Sequence, residues 1–388
     1  MPLPSTERIL LGPGPSLIAA RVMRAMAAPV LSHLDPEFVP LMDEVRASLQ
    51  RVFRADARAL TIATSGTGTS AMEAAVANVV GDGMRAVVVV TGYFGDRLAE
   101  IIERYGARVR RIDVEWGRAV DPQRLEDELA REGADVVGLV HAETSTGVRN
   151  PIKELAAIAR AHGALTIVDM VTSLGGQDVD VAGWGVDVAY SCTQKCIGAP
   201  SGLAPLAVAS SARERLVKCR SFYLDLRLLE DQWVGRKYHH TMSSTLIYAL
   251  REALLMVEEE GLPARVERHE RHHRALAAGV EAMGLSLLPP EGERLWTLNT
   301  IRVPAGVDEA AVRQTLLGTY NIEVGAGLGP LAGRIWRVGL MGASSTPQTL
   351  LQFLAALEGA LAAQEHPVPE GAGVAAAGSA LRPALINA

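Results

Sequence analysis

The stretch ALTIVDMVTSLGGQDVDVAGWGVDVAYSCTQKCIGAPSG (164–202) decides the reading of this chain. It opens on a short aliphatic run, 164–169, that closes on Asp169, and a second such run follows at 186–191. Runs this apolar, bounded by glycines, fit strands buried on both faces, as parallel sheets need. Asp169 then stands at the C-terminal end of a strand. Lys195 lies just past the next strand, on a turn-rich loop 26 residues further on (195 − 169). Open α/β sheets bind ligands outside the C-terminal ends of their strands, so both residues fall on the binding edge. A charge there is costly to desolvate without a partner. Taken singly, a strand-end acid can cap a helix and a lysine can face water.

Outward from this stretch the same alternation continues. Strands are expected at 59–64, 86–91, 107–114 and 135–142, with helical patterns near 70–80, 95–105, 122–131 and 152–162. A further strand at 203–210 is a candidate for an antiparallel edge. This order predicts an α/β fold with a mostly parallel sheet between helices. Past residue 245 the character changes. A helix over 246–260 is broken at Gly261-Leu262-Pro263, and a second covers 265–283. Strands at 295–304 and 334–341 and a last helix at 347–363 suggest a smaller α+β unit. The expected organisation is an N-terminal arm (1–16), a large domain (17–260), a small C-terminal domain (261–365) and a loosely packed Ala/Gly/Pro-rich tail (366–388).

Bulk properties narrow the function. A chain of 388 residues exceeds what one core comfortably serves. A net charge of −6 gives no general attraction to nucleic acid or acidic lipid. No apolar run reaches the roughly 18 residues a membrane span needs. No signal peptide or peroxisomal tripeptide is read at the termini, and the three cysteines, Cys192, Cys196 and Cys219, suggest a reducing compartment. The cytoplasm is the expected location.

Two motifs invite other readings. His269-Glu270-Arg271-His272-His273 matches HExxH, but Arg265, Arg268, Arg271 and Arg274 surround it and disfavour a divalent metal. A solvated helix face is the expectation there, and no metal. Gly66-Thr67-Gly68-Thr69 opens a helix after a strand, as a dinucleotide turn does, yet no acid ends the next strand. The helix N-terminus and the two threonine hydroxyls still make a phosphate cradle.

Lys195, Asp169 and this cradle together meet the needs of a pyridoxal 5′-phosphate (PLP) site. Further stretches carry a resemblance: LGPGPS (11–16), SGTGTSAMEAA (65–75), GYFGDR (92–97), HAETSTGVRNP (141–151), IVDMVTSLGG (167–176), SCTQKCIGAPSGLA (191–204), SFYLD (221–225), YHHT (238–241) and GLGPLAGRIWRVGLMG (327–342). In these the chain resembles the class V, fold-type I PLP-dependent aminotransferases, nearest the alanine–glyoxylate and serine–pyruvate group. The resemblance implies a seven-stranded large-domain sheet. It implies Lys195 as Schiff-base lysine and proton shuttle, and Asp169 as partner of the pyridine nitrogen. Thr67, Gly68, Thr69 and Gln194 would hold the phosphate, Phe94 would stack on the ring, and Thr144 would face its hydroxyl. Tyr238 and Thr241 would reach the cofactor of the neighbouring subunit in a homodimer with shared sites. Arg337 would bind the carboxylate of the amino-acid or 2-oxo-acid substrate. The alternation of 334–341 puts Arg334 and Arg337 on opposite faces and does not choose between them. Ureidoglycine–glyoxylate, aminoethylphosphonate–pyruvate and pyridoxamine–pyruvate transamination are the alternatives, with a non-transaminase PLP enzyme further off. The SFYLD and YHHT stretches favour the alanine/serine–glyoxylate group.

Overall fold

The computed structural model describes residues 8–382. Residues 1–7 of the expected arm and 383–388 of the expected tail lie outside the described residues. Seven strands form the central sheet: β1 (Leu60–Gly66), β2 (Arg85–Val90), β3 (Arg108–Asp113), β4 (Val136–Val140), β5 (Leu165–Asp169), β6 (Val188–Tyr190) and β7 (Gly202–Val208). Their spatial order is β1-β7-β6-β5-β4-β2-β3. The pairs β2–β3, β2–β4, β4–β5 and β5–β6 are parallel. Strand β7 runs antiparallel to both β1 and β6, as expected for 203–210.

Helices return the chain between parallel strands: α1 (Gly68–Val79), α2 (Tyr93–Arg104), α3 (Pro122–Glu132) and α4 (Ile152–Ala161). Their starts follow local chemistry. Asp121 caps α3 by accepting from Gln123 N, with Pro122 in the first turn. The register sets Asp169 opposite both Val140 and Tyr190, so the C-terminal edges of β4, β5 and β6 are level.

Helix α5 (Ser244–Glu260) ends at Gly261, whose φ of +79° suits glycine, and α6 (Leu262–Ala282) begins with Pro263 in its first turn. A second sheet follows, with β8 (Leu298–Arg302), β9 (Gly325–Ala326) and β10 (Ile335–Gly339) in the order β8-β10-β9, all antiparallel. The described part of the arm joins this unit, because Ile9–Leu10 pairs in parallel with Ile322–Glu323. Apolar side chains from Val22 to Val257 fill one core; Leu11 and side chains from Ala275 to Ala377 fill another. The second is capped by α7 (Pro347–Ala362) and α8 (Ala372–Leu381).

Two expectations need correction. The stretch after residue 366 is not loose among the described residues: α8 packs along α6. The glycines make the close approach possible. A Cβ on Gly279 would lie 2.8 Å from the Gly373 carbonyl, and one on Gly373 would lie 2.7 Å from Met283 Sδ. A composition rich in alanine and glycine here serves helix formation and tight packing. Nor is the HExxH stretch a solvated face. His269, His272 and His273 are buried in α6. His269 Nδ1 donates to the Arg265 carbonyl at 2.7 Å and Nε2 accepts from Gly342 N at 3.1 Å. His272 Nδ1 meets Ser345 Oγ at 2.9 Å, and His273 Nδ1 meets Asn299 Oδ1 at 2.6 Å. Two of the four arginines that suggested water are engaged in the protein: Arg265 donates to the carbonyls of Gly175 and Cys196, and both Arg265 and Arg268 pair with Glu260, while Arg271 and Arg274 are exposed.

Candidate active site

At the level C-terminal edge of β4–β6 lies a cavity of about 350 Å³. Eight residues singled out from the sequence line it: Thr67, Gly68, Thr69, Phe94, Thr144, Asp169, Gln194 and Lys195. Gly14, Pro15 and Arg97 also line it.

Lys195 is buried and donates Nζ–H to the Pro13 carbonyl. Its loop is tied to the arm, since Ser16 Oγ donates to the Lys195 carbonyl at 2.8 Å and Ser16 N to the Gln194 carbonyl at 2.9 Å. Gly14 is required beneath it: a Cβ there would come within 2.7 Å of the lysine side chain. Burial pushes the Lys195 amine below its ordinary range, which favours the neutral, nucleophilic form.

Asp169 ends β5. Val171 N donates to its Oδ1 at 2.8 Å, and Tyr190 OH donates to its Oδ2 at 3.0 Å. Burial pushes its carboxyl up to about 7. A carboxylate so placed wants a cation or a donor.

The first turn of α1 faces the cavity with Thr67 as N-cap. Thr67 makes no side-chain capping bond, and no acid lies in the first turn. Its N–H groups and positive dipole end suit a phosphate. Gly68 keeps the turn close to the sheet edge, since a Cβ would lie 2.9 Å from Val171 Cγ2. Among the described residues Gln194 Oε1 is buried without a partner.

Phe94 sits in the first turn of α2. That turn is capped from a distant strand. Buried Glu143 accepts from Phe94 N at 3.4 Å and Gly95 N at 3.2 Å, and Ser145 Oγ accepts from Tyr93 N at 2.9 Å. Thr144 shares a hydrogen bond with Thr172.

A buried lysine, a carboxylate, an open helix N-terminus and an aromatic face thus line one cavity. The class V aminotransferase family profile matches residues 11–334. This chain belongs to the class V aminotransferases. Alanine–glyoxylate aminotransferase of Drosophila melanogaster is 38% identical, with 93% of this chain and 94% of that protein covered. Among solved structures, ureidoglycine–glyoxylate aminotransferase of Bacillus subtilis superposes with a TM-score of 0.94 at 38% identity, covering 98% of this chain and 99% of that one. Alanine–glyoxylate aminotransferase of Nostoc sp. gives 0.91 at 45% identity, covering 93% and 97%. The fold is thus fold-type I, as expected.

The cavity does not take in every expected residue. Arg337, on β10, is 7% exposed and turned inward, while Arg334 faces water; this resolves the choice the sequence left open. Arg337 borders the site: Nε donates to the Ala326 carbonyl at 2.6 Å and Nη1 to the Thr144 carbonyl at 3.4 Å. Burial pushes its guanidinium down to about 10. Tyr238, 65% exposed, and Thr241 lie on the surface and do not line this cavity.

Residues that the sequence reading gave no role are Tyr190, Glu143 and Arg97. Tyr190 acts through the β5–β6 register and Glu143 through a cap on Phe94, 49 residues away in sequence. Neither relation has a local signal. Arg97 stands in the quoted GYFGDR stretch.

Proposed function

We propose that this aminotransferase holds PLP on Lys195 and moves the amino group of a small amino acid, alanine or serine, to glyoxylate or pyruvate. The gathering of Lys195, Asp169 and the α1 N-terminus around one cavity carries this reading. The residues present fit the cofactor. Asp169, buried and held by two donors, suits a protonated pyridine nitrogen, and the open first turn of α1 suits the phosphate. The buried Gln194 Oε1 without a partner marks an unmet polar requirement there.

Bound PLP supplies an electron sink for the electron pair left when the substrate loses its α-proton. Lys195 Nζ, favoured in its neutral form by burial, takes that proton and returns it. Asp169 keeps the ring nitrogen protonated. Phe94, which lines the cavity, would offer a flat apolar face to the cofactor ring, and Thr144 would face the ring hydroxyl. The Arg337 guanidinium, at the cavity border, binds the substrate carboxylate through a fork.

Tyr238 and Thr241 serve the site of a partner copy in a homodimer. Their exposure in one chain, beside exposed Phe222 and Leu34, supports this. Among the described residues no helix is long and apolar enough to cross a membrane. The free cysteines support the cytoplasm as the location.

Glyoxylate occurs in the names of all three relatives described above, which supports it as acceptor over pyruvate. The Bacillus subtilis enzyme favours ureidoglycine as a rival donor. The test is a screen of amino donors against glyoxylate. Alanine or serine should give the highest kcat/KM, with parallel initial-rate lines as two half-reactions require. Intersecting lines would contradict the mechanism, and a preference for ureidoglycine would replace the donor.

A further inference from the structure

Among the described residues Arg97 is a cation without a counter-charge, at the end of this cavity where the α1 N-terminus opens. It lies one turn into α2 and lines the cavity with Thr69 and Phe94. Its neighbour Asp96 is taken by Arg111 at 2.7 Å. Among the described residues Arg97 has no ion pair. Two aromatic faces hold it instead: its Cζ lies 5.1 Å from the ring centres of both Tyr93 and Phe94. Its Nη1 donates to Thr69 Oγ1 at 3.0 Å.

That bond fixes more than Arg97. A threonine hydroxyl has one proton and two acceptor lone pairs. With a lone pair filled by Arg97, the Thr69 proton must point elsewhere, and among the described residues it has no acceptor. Thr69 stands in the first turn of α1, where the phosphate cradle opens.

We infer that Arg97 is a phosphate-positioning residue. It turns the Thr69 O–H toward the cofactor phosphate and supplies a positive charge that, among the described residues, no carboxylate neutralises. Aromatic packing suits this task, because it fixes the guanidinium without cancelling its charge. The inference deepens the PLP reading and rests on it.

The test compares two ligands on the full-length chain freed of cofactor. PLP carries the phosphate; pyridoxal has the same ring and aldehyde without it. Arg97→Gln should bind PLP about tenfold or more weakly, while pyridoxal affinity stays within about twofold of wild type. Arg97→Lys, which keeps the charge and a donor, should lose roughly threefold for PLP alone. Equal losses for both ligands, or no loss for either, overturn the role. If Arg97→Gln does not fold, Arg97→Lys carries the same comparison: a loss confined to PLP supports the role, and a loss shared by pyridoxal overturns it. A wild-type chain that binds neither ligand overturns the underlying PLP reading instead.

Discussion

Asp169 carries opposite consequences for stability and for function. Burial raises its carboxyl from the ordinary range near 4 to about 7. Between those values the folded chain without cofactor keeps a proton that the unfolded chain gives up. Stability from this group is therefore full below about pH 4 and falls as pH rises toward 7. Asp169→Asn should raise the stability of the cofactor-free protein at pH 8 by about 2–4 kcal/mol. Turnover with cofactor should drop at least about a hundredfold. Thermal melting and steady-state rates read the two effects; a variant no more stable than wild type at pH 8 would contradict the account. Residues of this kind were legible where the signal is local. Asp169 and Lys195 were visible because each closes or follows an apolar run. Tyr190 was read only as part of a strand, because its hydrogen bond to Asp169 depends on which strands pair and in what register. Arg337 and Arg334 could not be separated for the same reason.

At the scale of elements, α6 is the feature that sequence described least well. Its arginines and histidines read as a wet face, yet His269, His272 and His273 lie buried. Composition cannot say whether a polar face meets water or another part of the chain. Burial pushes these histidines down, His269 to about 3 and the other two to about 4. Below the ordinary value near 6.5 the unfolded chain takes up protons that the folded chain refuses. Stability is thus present above about pH 6.5 and is lost as pH falls toward 4, on the order of 2–3 kcal/mol per buried histidine. Asp169, Glu143 and Asp187, whose carboxyls burial raises, work in the opposite sense, but His141 and His240 are pushed down as well, so among the described residues three carboxyls stand against five histidines. The melting temperature should fall steeply from pH 6.5 to 4.5, and His269→Gln should flatten that slope. A melting curve unchanged over this range would contradict the burial of the three rings. Helix α8 gives the same lesson. Alanine and glycine can mark a loose segment or a closely packed helix, and only the facing Gly279 decides.

Over the whole molecule, the strand–helix alternation made the large sheet readable, because parallel strands buried on both faces leave continuous apolar runs. We propose that the two cores correspond to a large unit over 17–260 and a small one from 261 onward, with α8 included in the latter. The arm bridges them, from the strand pair at Ile9–Leu10 to the Lys195 loop. The second copy proposed for Tyr238 and Thr241 was implied only by resemblance. If the dimer shares its sites, Tyr238→Ala with Thr241→Val should weaken PLP binding about tenfold without altering the mass in solution. A monomeric wild-type protein would contradict shared sites. The central claim is that Lys195 makes this chain a transaminase. The most direct measurement is a single-turnover reaction of the PLP-loaded enzyme with alanine, in the wild type and in Lys195→Ala. In the wild type, the visible absorbance of bound PLP should be lost, with stoichiometric pyruvate released, and glyoxylate should restore the spectrum. Lys195→Ala should release no pyruvate. Equal pyruvate release by the variant would contradict the account.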